Sequence, residues 1–122
     1  MKILFSMNTI FGIKTYELHY WNIPKKIFAE QLIQDSKGEC NDYKFLCFDG
    51  IPRYVWVDTG RFDDHRRNVY NMEWNQLPLH IEELSHTDEP IPKPKNFDRM
   101  IAVAKILSEG FHHVRVDLYN AN

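Results

Sequence analysis

No stretch of this 122-residue chain approaches the roughly 20 consecutive apolar residues of a bilayer-spanning helix. Met1 to Ile13 also lacks the small-residue cleavage site of a secretory signal, so a soluble, cytoplasmic protein is the expectation. Neither sign of charge dominates. Fifteen Lys and Arg against 17 Asp and Glu leave a net charge of -2, which gives nucleic acid and anionic membranes no bulk electrostatic hold. Cysteine is scarce: Cys40 and Cys47 have no Cys or His at metal-site spacing, and reduced, structural thiols are the simplest reading. The six histidines (His19, His65, His80, His86, His112 and His113) form no HxxxH, and the adjacent His112 and His113 would point to opposite faces of a strand, which argues against zinc. GxSxG, P-loop and GxGxxG motifs are all missing, so a serine hydrolase or a Walker-type nucleotide fold has no support. A glycosyltransferase would need a nucleotide-sugar site, and no DxD metal motif is present.

What is present points to one packed domain. Aromatic residues at 14% argue against disorder, and 122 residues are too few for two full-sized domains. The clearest local signal is Asp42 to Asp58, two aromatic and β-branched runs about Asp49-Gly50, a pair that tolerates the positive φ values of a tight hairpin turn. Tyr43, Phe45 and Cys47 alternate with Lys44, Leu46 and Phe48, so neither face is purely polar and the sheet is expected to be covered on part of both. Pro52 cannot donate to a ladder and belongs at the start of its strand or on an edge.

Lys25 to Ile33 reads either as a strand pairing with the hairpin or as a short amphipathic helix. The charge-rich stretch Thr59 to Asn68, with Arg61, Asp63, Asp64, His65, Arg66 and Arg67, reads as a solvated loop or as a phosphate-facing one. Tyr70 to Leu79 is expected to be irregular, docking Trp74 onto the sheet, and Ile81 to Glu89 to be a short helix or a loop. Pro90, Pro92 and Pro94 impose an extended run.

Asn96 to Gly110 predicts a helix, with Asn96 as N-cap, Asp98 in the first turn and Gly110 as the stop. Phe97, Met100, Ile101, Val103, Ala104 and Leu107 form its apolar face, expected to lie on the hairpin sheet. A last strand follows, with Val114, Val116 and Leu118 on one side and Arg115, Asp117 and Tyr119 on the other. The fold class is α+β, an antiparallel sheet with one long helix packed on it. Arg115 and Asp117 share a face, which suits an exposed ion pair or a nucleotide-metal site.

The ordered succession of Tyr16-Glu17-Leu18-His19-Tyr20, Ile27 to Leu32, Asp42 to Gly50, Arg61, Tyr70 to Trp74, Lys93 to Phe97 with its helix, and Gly110 to Tyr119 resembles the TupA-like branch of the ATP-grasp superfamily. The resemblance covers about residues 16 to 122 and implies part of a C-terminal ATP-grasp lobe. That branch is associated with bacterial cell-envelope polysaccharide or teichuronopeptide synthesis, and many similar sequences are labelled glycosyltransferases. ATP-grasp enzymes generally activate a carboxylate as an acyl phosphate that an amine or another nucleophile displaces. The resemblance implies ATP and Mg2+ as cofactors. By it Glu30 to Ile33, with Glu30, Gln31 and Leu32 at the cofactor, would form the adenine-holding hinge, Asp42 and Lys44 would belong to the nucleotide site with Asp42 near the ribose, Arg61 and Arg115 would face the phosphates, and Asp117 would hold magnesium. The implied partners are a nucleotide and a glycopolymer or amino-acid substrate.

The sequence departs from that family pattern in three places. Only Met1 to Pro24 stands where a phosphate-binding lysine and a Gly-rich loop are expected. The chain stops five residues past Asp117, where a second metal carboxylate and an Asn would follow. His112-His113 replaces an apolar pair. The expectation is therefore a partial ATP-grasp domain, truncated at both ends and inactive or only weakly nucleotide-binding alone. The alternative is a non-catalytic binding or oligomerisation module.

Overall fold

The computed structural model describes residues 22–24, 26, 29, 33, 40–60, 64–79 and 84–120. Nearly all of these belong to one compact unit, Ile33–Asn122; of the other, Met1–Leu32, only five positions are described. The described elements are strands β1 (Asp42–Phe48), β2 (Ile51–Thr59), β3 (Arg66–Asn71) and β4 (Gln76–Leu77), helix α1 (Phe97–Leu107) and strand β5 (His113–Tyr119). They build one antiparallel sheet of order β4-β3-β2-β1-β5 with α1 against it, the α+β arrangement expected.

The β1–β2 hairpin turns at Asp49 (φ 48°) and Gly50 (φ 74°), the two left-handed residues that the sequence supplies for it. Pro52 is the second residue of β2 and sits where the pairing slips: Cys47 opposes Pro52 but Leu46 opposes Tyr54, which leaves Arg53 as a bulge. The edges of the hairpin are taken by β3 and β5. Lys25 to Ile33, expected to pair there or to form a helix, lies outside the described residues except for Lys26, Ala29 and Ile33.

Three expectations need correction. The charged stretch Thr59 to Asn68 is not a solvated loop throughout, because its last three residues begin β3 and Arg67 and Asn68 are buried. Tyr70 to Leu79 is also more regular than expected, since it holds the end of β3 and all of β4. Asn96 stands at the N-cap position but its side chain caps nothing; its Nδ2 donates to Asn120 Oδ1 at 2.8 Å.

Strand alternation gives the sheet two chemically different faces. Toward α1 point Tyr43, Phe45 and Cys47, Val55 and Val57, Tyr70, and Val116, which meet Phe97, Met100 and Ala104 in the core. Phe45 and Phe97 rings stack at 5.9 Å, and Trp74 sets its edge to Phe97 at 4.8 Å while lying flat on Tyr70 at 4.3 Å. Trp74 holds a positive φ of 68°, a strained backbone for an aromatic residue. The two ring contacts and its Nε1 donating to Ile91 O at 2.9 Å offset that strain. The helix stripe is narrower than its sequence pattern, for Val103 and Leu107 are exposed while Ser108 is fully buried.

Asn68, buried on the same side, fastens residues 84–91 to the sheet. Its Nδ2 donates to Thr87 Oγ1 (2.7 Å) and Tyr70 Oη (3.1 Å), its Oδ1 accepts from Thr87 N (2.9 Å), and Tyr70 Oη accepts from Ile91 N (3.1 Å). Every polar atom of the amide is used in part, as burial demands. Among the described residues, no helix is long and apolar enough to cross a membrane.

Candidate functional site

The face of the sheet away from α1 carries the charges. Register aligns them in two adjacent rows. One runs Tyr119, Asp42, Asp58, Arg67 across β5, β1, β2 and β3, and the next runs Asp117, Lys44, Trp56, Val69. Asp42, Lys44, Asp58 and Arg67 are all buried. Burying four charges is tolerable only when they are paired and hydrogen-bonded. Arg67 closes a two-pronged grip on Asp58, Nε to Oδ1 at 2.6 Å and Nη2 to Oδ2 at 2.9 Å, with its guanidinium 4.8 Å above the Trp56 ring. Lys44 Nζ bridges the two carboxylates, 3.1 Å from Asp58 Oδ2 and in direct contact with Asp42.

Burial pushes the Asp58 carboxyl up, but the hydrogen bonds and charges of Arg67 and Lys44 outweigh it and hold the group at about 2. A carboxylate with a depressed folded-state value adds stability above its unfolded value near 4, and that stability is lost as pH falls through about 2. The gap between the unaltered chain and Asp58→Asn should therefore narrow by about 2 kcal/mol between pH ~5 and pH ~2, read from urea unfolding at each pH. A gap independent of pH would mean that Asp58 is not charged-paired in the folded state.

On β5, at the end of the described sheet, Arg115 and Asp117 form a second forked pair, Nε to Oδ1 at 2.7 Å and Nη2 to Oδ2 at 2.9 Å, but here both side chains are nearly half exposed. The hydrogen bond to Asp117 raises the Arg115 guanidinium, the field of Asp42 adds to this and that of Arg67 opposes it. The edge pair and the buried cluster are thus one electrostatic neighbourhood. Of the positions expected in a nucleotide site, the structure brings Asp42, Lys44, Arg115 and Asp117 to this one face. Glu30, Gln31, Leu32 and Arg61 lie outside the described residues.

A family model described as TupA-like ATP-grasp matches residues 2–122. The chain belongs to the TupA-like ATP-grasp family. The match reaches further toward the N-terminus than the resemblance read from the motifs. Among curated proteins and among solved structures, none matches the chain. For a TupA-like ATP-grasp chain, the sequence reading singles out neither Asp58 nor Trp56 on this face, and it names Arg67 only within the charged stretch Thr59 to Asn68. The alternation of Val55 and Val57 with Trp56 and Asp58 carries the signal for the first two; Arg67 lies in a strand where a loop, solvated or phosphate-facing, is expected.

Magnesium is bound through one or two carboxylates together with waters and phosphate oxygens. Among the described residues, no three His, Cys, Asp or Glu side chains converge on one point, so there is no all-protein cage. Asp117 is a partly exposed carboxylate on the last strand of the described sheet and fits as a single ligand to an ion held mainly by phosphate.

Proposed function

We infer that this face is one wall of the nucleotide site of an ATP-dependent carboxylate–amine ligase acting in cytoplasmic steps of bacterial envelope polysaccharide synthesis, with a glycopolymer or an amino acid as acceptor. Family membership supplies the ATP-grasp chemistry, and the observation that supports the site is the convergence of Asp42, Lys44, Arg115 and Asp117 on one face. Bound Mg-ATP would supply the phosphoryl group that activates a carboxylate.

The two forked pairs have different duties in this reading. Three cations (Lys44, Arg67, Arg115) face three carboxylates (Asp42, Asp58, Asp117), so a triphosphate gains a hold only where a cation can change partner. The Arg67–Asp58 pair is buried and costly to separate. The Arg115–Asp117 pair is exposed, worth about 1 kcal/mol or less, and easily exchanged. Arg115, with planar donors suited to phosphate oxygens, would hold the phosphates, and Asp117 would then be available to hold magnesium. Lys44 and Arg67 stay paired with Asp42 and Asp58 and position the wall.

Titration calorimetry with Mg-ATP tests this. The unaltered chain should bind, Asp117→Ala should weaken Mg-ATP at least about tenfold while affecting magnesium-free ATP less, and Arg115→Ala should weaken both. Unchanged Mg-ATP affinity in Asp117→Ala removes that carboxylate from the site.

A further inference from the structure

The charged rows of the sheet are followed, on the same face, by two rows of a different kind. Register sets Arg115, Leu46, Tyr54 and Asn71 side by side across β5, β1, β2 and β3, and beyond them His113, Phe48 and Ile51 across β5, β1 and β2, at the hairpin tip. Phe48, Ile51 and Tyr54 are 40%, 43% and 42% exposed, Leu46 is half-buried, and the Phe48 ring lies 4.8 Å from that of His113. Between Arg115 and Asn71 the face is therefore an open apolar shelf with polar groups at its rim. Asn71 Oδ1 accepts from Glu73 N (3.2 Å) and Asn75 N (2.7 Å), which leaves Nδ2 to donate elsewhere, and among the described residues the Tyr54 hydroxyl has no hydrogen-bond partner.

The order of rows along β1 gives this shelf a place in the reaction. In the nucleotide reading Asp42 lies by the ribose, Asp117 one row on holds magnesium, and Arg115 one row further holds the phosphates. Phosphoryl transfer runs in line, so the carboxylate that takes the phosphoryl group and the nucleophile that then displaces it lie past the phosphates from the ribose, over the shelf. We propose that the shelf binds a sugar ring of the glycopolymer substrate, stacked on Tyr54 and Phe48. These two are diagonal neighbours about 7 Å apart, so one saccharide touches both. A pyranose has a face of C–H groups, whose partial positive charge suits the negative face of an aromatic ring, and a rim of hydroxyls for Asn71 Nδ2, Tyr54 Oη and the His113 imidazole. An amino acid is served poorly, since neither row holds a carboxylate to pair with its ammonium group. A protein partner is not matched either: three side chains of this exposure offer roughly 200 Å² of surface, against the about 800 Å² per partner of a stable interface.

The place of the sugar rests on the nucleotide reading, so saccharide and Mg-ATP are measured separately on the full chain. The probes are trisaccharides of glucose, of N-acetylglucosamine and of glucuronic acid, each titrated into isotope-labelled protein and followed by amide NMR. At least one should shift the amides of Leu46, Phe48, Tyr54, Asn71 and His113 saturably. Tyr54→Ala should weaken that saccharide about tenfold and Tyr54→Phe no more than about threefold, while neither changes Mg-ATP affinity by more than about twofold in calorimetry. Should Tyr54→Ala fail to fold, Phe48→Ala at the exposed tip takes its place and should give a loss of the same order. No shift with any of the three saccharides overturns the sugar site, and Mg-ATP binding in the same sample then leaves the nucleotide reading standing. A saccharide bound at the shelf of a chain that binds no Mg-ATP overturns the nucleotide reading, and with it the place of the sugar in the reaction. Shelf shifts produced instead by free glycine, alanine, glutamate or lysine, or by raising the protein concentration alone, would assign the surface to an amino acid or to a second copy and overturn the proposal.

Discussion

Asp58→Asn is expected to lower folding stability by about 3 kcal/mol or more, measured as a shift of the urea midpoint at neutral pH with an unchanged slope. The side chain keeps its shape, so packing is not the cause. What changes is charge: the 4%-exposed carboxylate that closes on the Arg67 fork and neutralises Lys44 becomes an amide. Removing the Asp58 charge leaves the buried Arg67 fork facing a neutral amide and leaves Lys44 with Asp42 as its carboxylate, and breaking a buried pair in this way costs far more than the pair itself contributes. Asp58→Leu combined with Arg67→Met should consequently be less harmful than Asp58→Asn alone. A loss below about 1 kcal/mol would place this cluster in effective contact with water.

Phe97→Ala is expected to cost about 3 to 5 kcal/mol by the same assay. Phe97 is 1% exposed at the first turn of α1, stacked on Phe45 and struck edge-on by Trp74. Trp74 is in turn held in its strained backbone by rings around it, so the cavity cannot close without disturbing the 72–75 turn. The cost should lie at the upper end of the range for that reason. Ile106→Ala, on the same helix but 71% exposed, should change stability by no more than about 0.5 kcal/mol. Equal effects at the two positions would mean that α1 does not bury the face described.

The hairpin, α1 and β5 were legible because each is written locally: a turn pair with positive φ, a 3.6-residue apolar period, an alternating run. β3 was not. Its inward residues are Asn68 and Tyr70, and the amide belongs there only because Thr87, 19 residues on, completes its hydrogen bonds. Arg67 was obscure for the same reason, since a charged residue is placed in a sheet by a partner, Asp58, that lies on another strand. The side-chain cap of Asn96 is expected from its position, but its amide makes its hydrogen bond to Asn120, 24 residues on and out of reach of any local pattern. Arg115 and Asp117 were read on one face from spacing alone; which charges surround them depended on the register of β1 with β5, and no local pattern carries that.

The single surplus residue in β2 is what keeps the two sides of the sheet from being interchanged. Extending the pairing of the hairpin tip unbroken along both strands would set Val55 against Lys44, Val57 against Asp42 and Trp56 against Tyr43, mixing aliphatic and ionic layers. Arg53 absorbs that half-step, so the tip obeys the geometry of its turn while the body of the hairpin obeys chemistry. Lengthening or shortening the chain by one residue within Tyr54–Asp58 therefore turns part of that strand's apolar set to the ionic face, whereas between Phe48 and Arg53 the same change leaves the body of the hairpin in register.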